Sequence, residues 1–171
     1  MAASEWDDRR IFQPHASRVL GAGEIDGVRS HVWMGGAHSD LGEPISGEML
    51  ARSWVLDCAG YMPEAHRGAA ARWEAQVFAD VARRPEQFEL LRSLTKDWAR
   101  QIMDPREEAP EHVLVMCQYG MNRSGLGAGL LLCALGLGPG EAVSRITRAR
   151  PGALANYRFR QLLSEAGFAR R

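Results

Sequence analysis

The chain has 171 residues, of which 46% are hydrophobic and 25% are charged, so it can bury a core and is neither disordered nor collagen-like. A chain of this length fits one domain. Its 21 basic residues balance its 21 acidic residues, so no net field draws it toward nucleic acid or an anionic membrane. We therefore expect neither nucleic acid nor a membrane as a partner.

The longest apolar stretch, residues 126–137, is shorter than the roughly 20 residues of a membrane-spanning helix. Residues 1–10 carry charges and no apolar segment of the kind that a secretory signal has, so we expect a cytoplasmic protein. Three cysteines are too few for a disulfide framework, and five histidines are scattered without the spacing of metal ligands. We expect no metal and no cofactor.

Four strands are predicted from apolar runs, and three of them come before the first long helix. They cover residues 31–34, residues 53–56 and residues 72–77. An amphipathic helix follows over residues 85–103, with apolar side chains at steps of three and four. Residues 112–116 contain a Val-Leu-Val run that is typical of a strand covered on both faces.

Helices are predicted at the end of the chain, from residue 124 to the glycines at 136–140, over residues 141–150, and over residues 156–166. This order predicts one α/β domain with a mainly parallel, twisted sheet of four or five strands and about five flanking helices. We assign residues 28–171 to this domain and residues 1–27 to an extension or to its first elements. The loop after the 112–116 strand then lies at the carboxyl edge of the sheet, where ligands usually bind.

That loop, residues 117–124, is named here the Cys117 loop. Its backbone N–H groups and the start of the following helix can form an anion site, which also favours the thiolate form of Cys117. Arg123 offers a planar fork to two phosphate oxygens, Gly120 permits a tight turn, and Ser124 can hydrogen-bond the sulfur. The remaining positions, which contribute backbone N–H groups, are Gln118, Tyr119, Met121 and Asn122.

The pattern Cys-x-x-Gly-x-x-Arg-Ser after an apolar strand resembles the signature loop of the cysteine-dependent protein tyrosine phosphatases, closest to the small dual-specificity phosphatases. The resemblance extends over about residues 28–165. Residues 31–36 are similar to the strand that opens such domains. The pattern that closes them has counterparts here in Arg148, Arg150, Pro151, Asn156, Phe159, Gln161 and Leu162.

The resemblance implies that Cys117 attacks phosphorus to form a cysteinyl-phosphate, while Arg123 and the loop amides bind the phosphate oxygens. It implies a general acid on a loop between a strand and a helix, and Asp80 fits that place; Asp57 and Asp104 are weaker candidates. Ser124 would help the sulfur to leave. The expected substrates are phosphotyrosine, together with phosphoserine and phosphothreonine, in proteins.

The residues around Cys117 and Cys58 lead to two further expectations, one about the thiolate of Cys117 and one about a disulfide of Cys58. The family usually has His before the nucleophile, and here Met116 stands there, so we expect the thiolate of Cys117 to be favoured less than in relatives with His. Cys58 occupies a position similar to that of a cysteine which, in some relatives, traps the nucleophile as a disulfide; a plain buried thiol is the alternative. Cys133 is expected in the core.

Other functions remain open at this point. A phosphoinositide phosphatase is the first alternative, although that branch usually carries Lys in the signature loop and the Cys117 loop has none. A rhodanese-type sulfurtransferase and a noncatalytic phosphate-binding domain are the others. A nucleotide-binding module is rejected because no glycine-rich phosphate-binding motif follows the strand.

Overall fold

A computed structural model describes residues 14–167. Residues 1–13, which include the segment on which the secretory-signal expectation rests, and residues 168–171 lie outside the described part. The described elements in chain order are β1 (His15–Leu20), β2 (His31–Gly36), β3 (Glu43–Pro44), α1 (Gly47–Ala51), β4 (Ser53–Asp57), α2 (Glu64–Ala69), β5 (Arg72–Ala75), α3 (Phe88–Met103), β6 (His112–Cys117), α4 (Arg123–Ala134), α5 (Pro139–Ala149) and α6 (Tyr157–Glu165).

The strands form one sheet in the order β3-β1-β2-β6-β4-β5. β2, β6, β4 and β5 are parallel to one another, whereas β1 and β3 are antiparallel to their neighbours. The predicted α/β domain with a mainly parallel sheet is confirmed. Among residues 14–167 the sheet has six strands rather than four or five, and six helices accompany it rather than about five.

The strand β6 occupies the middle of the sheet, and all six of its residues are buried. Its neighbours β2 and β4 run parallel to it, with Gly36 opposite Cys117 and Asp57 opposite Met116. The carboxyl ends of three parallel strands therefore meet around Cys117, which is the edge where the sequence places the site.

The differences from the predicted elements lie at edges and ends. The prediction omits β1 and β3, which are the antiparallel strands, and the short helices α1 and α2. The third predicted strand, β5, ends at Ala75 instead of residue 77. The helix α3 begins at Phe88 because residues 85–87 form a turn, in which the N–H of Phe88 donates to the carbonyl of Pro85 at 3.1 Å.

The helix α4 lies close against the core, and its glycines explain how. A Cβ at Gly127 would lie 2.8 Å from a Val115 methyl carbon, and one at Gly129 would lie 2.7 Å from a Leu163 methyl carbon. The Gly-x-Gly-x-Gly run of this helix therefore serves packing. Within residues 14–167 no helix combines the length and apolarity needed to cross a bilayer.

Candidate active site

The Cys117 loop joins the end of β6 to the start of α4, and its sulfur lies at the bottom of the loop. Cys117 is 3% exposed. The N–H of Gly120 donates to Cys117 Sγ at 3.3 Å, and Ser124 Oγ lies 3.3 Å from the same sulfur. The sulfur of Cys117 is thus in hydrogen-bond contact with one backbone N–H and one hydroxyl of its own loop.

Two glycines make this loop conformation possible. Gly120 has a φ of +73°, a left-handed conformation that L side chains rarely adopt. Gly36, at the end of β2, touches the back of the loop: a Cβ there would lie 2.5 Å from the carbonyl carbon of Tyr119 and 2.6 Å from Gly120 N. Gly36 was not predicted as a site residue, although the Gly-Gly pair that ends its strand could have indicated a close backbone approach.

Arg123 is the first residue of α4 and lies beside the loop opening. Its Nη2 donates to the side-chain oxygen of Gln118 at 3.5 Å. Gln118 was predicted to contribute only its backbone N–H, but its side chain also contacts Tyr119 and His38. Arg123 also borders a cleft of about 520 Å³.

Asp80 lies next to the Cys117 loop, which the sequence could not establish by itself. Asn122 Nδ2 donates to Asp80 Oδ2 at 2.9 Å, and Asn156 Nδ2 donates to Asp80 Oδ1 at 2.9 Å. The N–H of Asn156 in turn donates to Asn122 Oδ1 at 2.9 Å. The side chains of Asn122 and Asn156 therefore hold Asp80 beside the Cys117 loop.

Solved structures resemble this arrangement in fold. The match to a mouse putative dual specificity phosphatase complexed with zinc tungstate has a TM-score of 0.62 and 20% identity, and covers 97% of this chain and 91% of that one. Human DUSP28 matches with a TM-score of 0.57, 21% identity and coverage of 88% and 91%. PTPMT1 in complex with PI(5)P matches with a TM-score of 0.58, 14% identity and coverage of 90% and 94%. The chain has the fold of the small dual-specificity phosphatases. No protein-family model matches it, and no curated protein matches its sequence.

Within this dual-specificity phosphatase fold, the two weaker acid candidates occupy other surroundings. Asp57 is 1% exposed, and its Oδ1 accepts from the N–H groups of Ala59 and Gly60 at 3.1 and 2.8 Å, which closes the turn after β4. Asp104 follows α3 and pairs with Arg106, whose hydrogen bonds lower the pKa of that carboxyl to about 2. Of the three carboxylates, Asp80 is the one hydrogen-bonded to a Cys117 loop side chain in the described residues.

Cys58 lies beside the predicted nucleophile. The N–H of Cys58 donates to the carbonyl of Met116 at 2.8 Å, and the register that pairs Asp57 with Met116 places Cys58 next to Cys117. Burial, followed by the nearby Cys117, raises the pKa of the Cys58 thiol well above its ordinary value. Cys133 is buried in the core, and burial raises its pKa to about 11. All three cysteines are free thiols.

The family usually has a histidine before the nucleophile, where this chain has Met116, and the one histidine of β6 does not take its place. Met116 is fully buried in an apolar cluster that includes Trp33 and Leu114. His112 lies at the other end of β6, where its Nδ1 accepts from Trp33 Nε1 at 3.1 Å and its ring stacks on His31. In the described part of the chain no group of three His, Cys, Asp or Glu side chains could hold a metal ion.

Proposed function

We propose that the protein is a cysteine-dependent phosphomonoester hydrolase that acts on phosphotyrosine in proteins, with phosphoserine and phosphothreonine as further substrates. The observation that carries the proposal is the hydrogen bond from Asn122 to Asp80. It brings a carboxyl group to the same loop that holds Cys117 at its bottom and Arg123 at its end. A nucleophile, a phosphate-binding cation and a proton donor are thereby gathered around one anion site.

In the first step the thiolate of Cys117 attacks phosphorus, a sulfur–phosphorus bond forms and the bond to the leaving oxygen breaks. The loop amides and the Arg123 guanidinium bind the three equatorial oxygens, whose charge is stabilised in the transition state. Asp80 donates its proton to the leaving oxygen. A good leaving group such as p-nitrophenolate needs this proton less than phenolate does.

In the second step water attacks the phosphocysteine. Asp80, now ionised, accepts a proton from that water, because one carboxyl group can serve as acid and then as base. The sulfur–phosphorus bond breaks, inorganic phosphate is released and the thiolate of Cys117 returns. Ser124 Oγ, 3.3 Å from Cys117 Sγ, can donate a hydrogen bond to the leaving sulfur.

The surface around the site supports an aryl phosphate as substrate. The cleft beside Arg123 is lined by Tyr61, Val77 and Val81, each of which is at least 41% exposed. Tyr119, on the Cys117 loop itself, is 59% exposed. Large apolar side chains left exposed around a phosphate site are suited to contact a phenyl ring.

A phosphoinositide is the second candidate. The fold is similar to that of PTPMT1, solved in complex with PI(5)P, and Arg83 lines the same cleft as Arg123. A second guanidinium there suits a substrate with another anionic group. Against this candidate, the Cys117 loop carries no Lys.

The test compares initial rates on p-nitrophenyl phosphate, on a panel of phosphotyrosine, phosphoserine and phosphothreonine peptides, and on PI(5)P in micelles. We expect turnover with the highest kcat/KM on phosphotyrosine, complete loss in Cys117→Ser, and a large loss in Asp80→Asn. Asp57→Asn is the matched control and should retain the basic limb of the pH profile, the fall in kcat/KM at high pH that follows loss of the proton from the general acid. If Asp57→Asn removed that limb and Asp80→Asn did not, the proton donor would be wrongly assigned.

The remaining alternatives have their own readouts. Higher kcat/KM on PI(5)P than on any phosphopeptide would select the lipid substrate. Turnover of thiosulfate without phosphatase activity would indicate a sulfurtransferase. Equal binding of vanadate by the unmutated protein and Cys117→Ser, with no turnover of any phosphate ester, would indicate a noncatalytic phosphate-binding domain.

A further inference from the structure

Arg150 is a charged residue that the proposed mechanism does not use. It follows α5 directly, and 0% of its surface is exposed. A guanidinium removed from water needs hydrogen-bond acceptors for its five N–H groups and a partner for its positive charge. The two needs are met by different groups.

All five N–H donors of Arg150 are used. Nε donates to Gly120 O at 2.7 Å, and Nη2 donates to Tyr119 O at 3.3 Å. The other three acceptors are Ser17 Oγ at 3.0 Å, Leu41 O at 2.8 Å and Ser39 Oγ at 2.7 Å. Every acceptor is an uncharged carbonyl or hydroxyl oxygen, so these hydrogen bonds provide no negative charge.

The two bonds to the Cys117 loop determine which way its amides point. The C=O and N–H of a trans peptide point in opposite directions, and none of the described peptide bonds is cis. Arg150 holds the carbonyl of Tyr119 on its own side, and the N–H of the same peptide, that of Gly120, points to Cys117 Sγ at 3.3 Å. By the same geometry, its bond to Gly120 O turns the N–H of Met121 away from Arg150.

The charge of Arg150 interacts with Cys117. Burial lowers the pKa of Arg150, and its attraction to Cys117 acts in the opposite direction. The other charged or titratable groups at this end of the sheet include Asp57 at the end of β4, Cys58 after it, Arg123 at the start of α4, His38 after β2, and Asp80, which accepts from Asn122. None of these side chains is among the five hydrogen-bond partners of Arg150, and Cys117 is the group whose charge raises the pKa of the guanidinium.

We propose that Arg150 is a positioning residue of this site: it turns the loop amides toward the sulfur, and its buried positive charge stabilises the thiolate of Cys117 where the imidazole at position 116 is missing. Its meaning for catalysis rests on the proposed function. Thiol reactivity tests it without any turnover, so the two proposals can fail separately.

The effect of the Arg150 charge is tested with two variants at Ser39, whose Oγ accepts a hydrogen bond from Arg150 Nη2. The two replacement side chains, Asp and Asn, have the same shape and differ in charge. Ser39→Asp gives the guanidinium a competing carboxylate, and Ser39→Asn offers a neutral oxygen of the same shape. The rate of Cys117 alkylation by iodoacetamide is followed against pH by mass spectrometry. We expect the pH at which alkylation reaches half of its maximal rate to be about one unit higher in Ser39→Asp than in Ser39→Asn. Equal midpoints would overturn the electrostatic role.

The amide orientation is tested with Arg150→Lys, which keeps the charge but cannot make five fixed hydrogen bonds. Its control is Arg148→Lys, since Arg148 is exposed and its side chain bonds Ser144 on its own helix. The probe is vanadate, whose binding is measured by the rise in melting temperature. We expect at least about tenfold weaker vanadate binding in Arg150→Lys than in Arg148→Lys. Equal binding would overturn the positioning role, and an unfolded Arg150→Lys would leave the Ser39 pair to decide the charge.

If the Ser39 pair shows the expected difference but no phosphate ester is turned over, the proposed phosphatase function fails and the role of Arg150 at the sulfur stands. If phosphate esters are turned over and the two Ser39 variants have the same midpoint, the proposed phosphatase function stands and the electrostatic role of Arg150 fails.

Discussion

Asn156 donates a hydrogen bond from its side-chain amide to Asp80 across 76 residues of sequence, with Nδ2 and Oδ1 separated by 2.9 Å. The same amide donates to the carbonyl of Val81 at 3.0 Å, and Asn156 Oδ1 accepts from the N–H of Phe159 at 3.4 Å as the N-cap of α6. One side chain therefore both begins a helix and holds the loop that carries the predicted general acid.

These two roles can be separated by mutation. Asn156→Ser keeps a cap acceptor but loses the donor to Asp80, so we expect near-normal stability and a roughly tenfold fall in kcat/KM. The fall should be larger for phenyl phosphate than for p-nitrophenyl phosphate, because phenolate needs the proton more. Asn156→Ala should lose the cap as well, at a cost of about 1 kcal/mol in the free energy of unfolding. Equal falls on the two substrates would contradict an effect through Asp80.

Gly36 should be as sensitive as the Cys117 loop it touches. Gly36→Ala places a Cβ 2.5 to 2.6 Å from backbone atoms of residues 118–120, so the loop must move. We expect kcat/KM to fall roughly a hundredfold, because small displacements of a catalytic group have effects of this size. The control is Gly68→Ala in α2, where a Cβ meets nothing within 4 Å and activity should not change. Normal activity in Gly36→Ala would show that the loop tolerates the displacement.

The buried thiol of Cys133 should make stability fall at alkaline pH. Burial raises its pKa from 9.0 to about 11, so the folded protein keeps the proton that the unfolded chain releases first. The stabilisation is complete below pH 9 and is lost as the pH rises toward 11; by pH 10 the loss is roughly 1 kcal/mol. Urea unfolding at pH 8 and pH 10 should show this extra loss relative to Cys133→Ala. Parallel losses in both proteins would refute it.

Cys58 is predicted to form a disulfide with Cys117 under peroxide. Peroxide oxidises the Cys117 thiolate to a sulfenic acid, and the Cys58 sulfur then attacks that sulfur and water leaves. Cys58 and Cys117 directly follow Asp57 and Met116, the last pair in the register of the parallel strands β4 and β6. We expect a mass loss of about 2 Da and inactivation that thiol reductants reverse. Cys58→Ser should instead be inactivated irreversibly, and reversible inactivation of that variant would contradict the pairing.

The parts predicted from the sequence are those that local patterns encode. The run of apolar residues in β6 identified the central strand, and the contiguous residues from Cys117 to Ser124 identified the loop. β1 was missed because its six residues mix buried and exposed positions without a clear alternation, and β3 has only two residues. Neither strand has a local pattern strong enough to be read without its partners.

Other features depend on contacts between distant parts of the chain. The chain order placed Asp80 on a suitable loop, but its bonds to Asn122 and Asn156 join segments 42 and 76 residues apart. The sequence connects Arg150 only to a family pattern, and its hydrogen bond to the carbonyl of Gly120 follows only from the folded chain. Sequence patterns name such residues, whereas tertiary structure shows what they touch.

Because β6 has a hydrogen-bonded strand on each side and no exposed residue, its amide hydrogens should be among the slowest in the protein to exchange with solvent. The Cys117 loop follows directly from this strand, while Asp80 belongs to a surface segment attached through side-chain amides. In the proposed mechanism, substrate therefore meets a loop already in its final shape, and opening of the segment that carries Asp80 releases phosphate while the loop keeps its conformation.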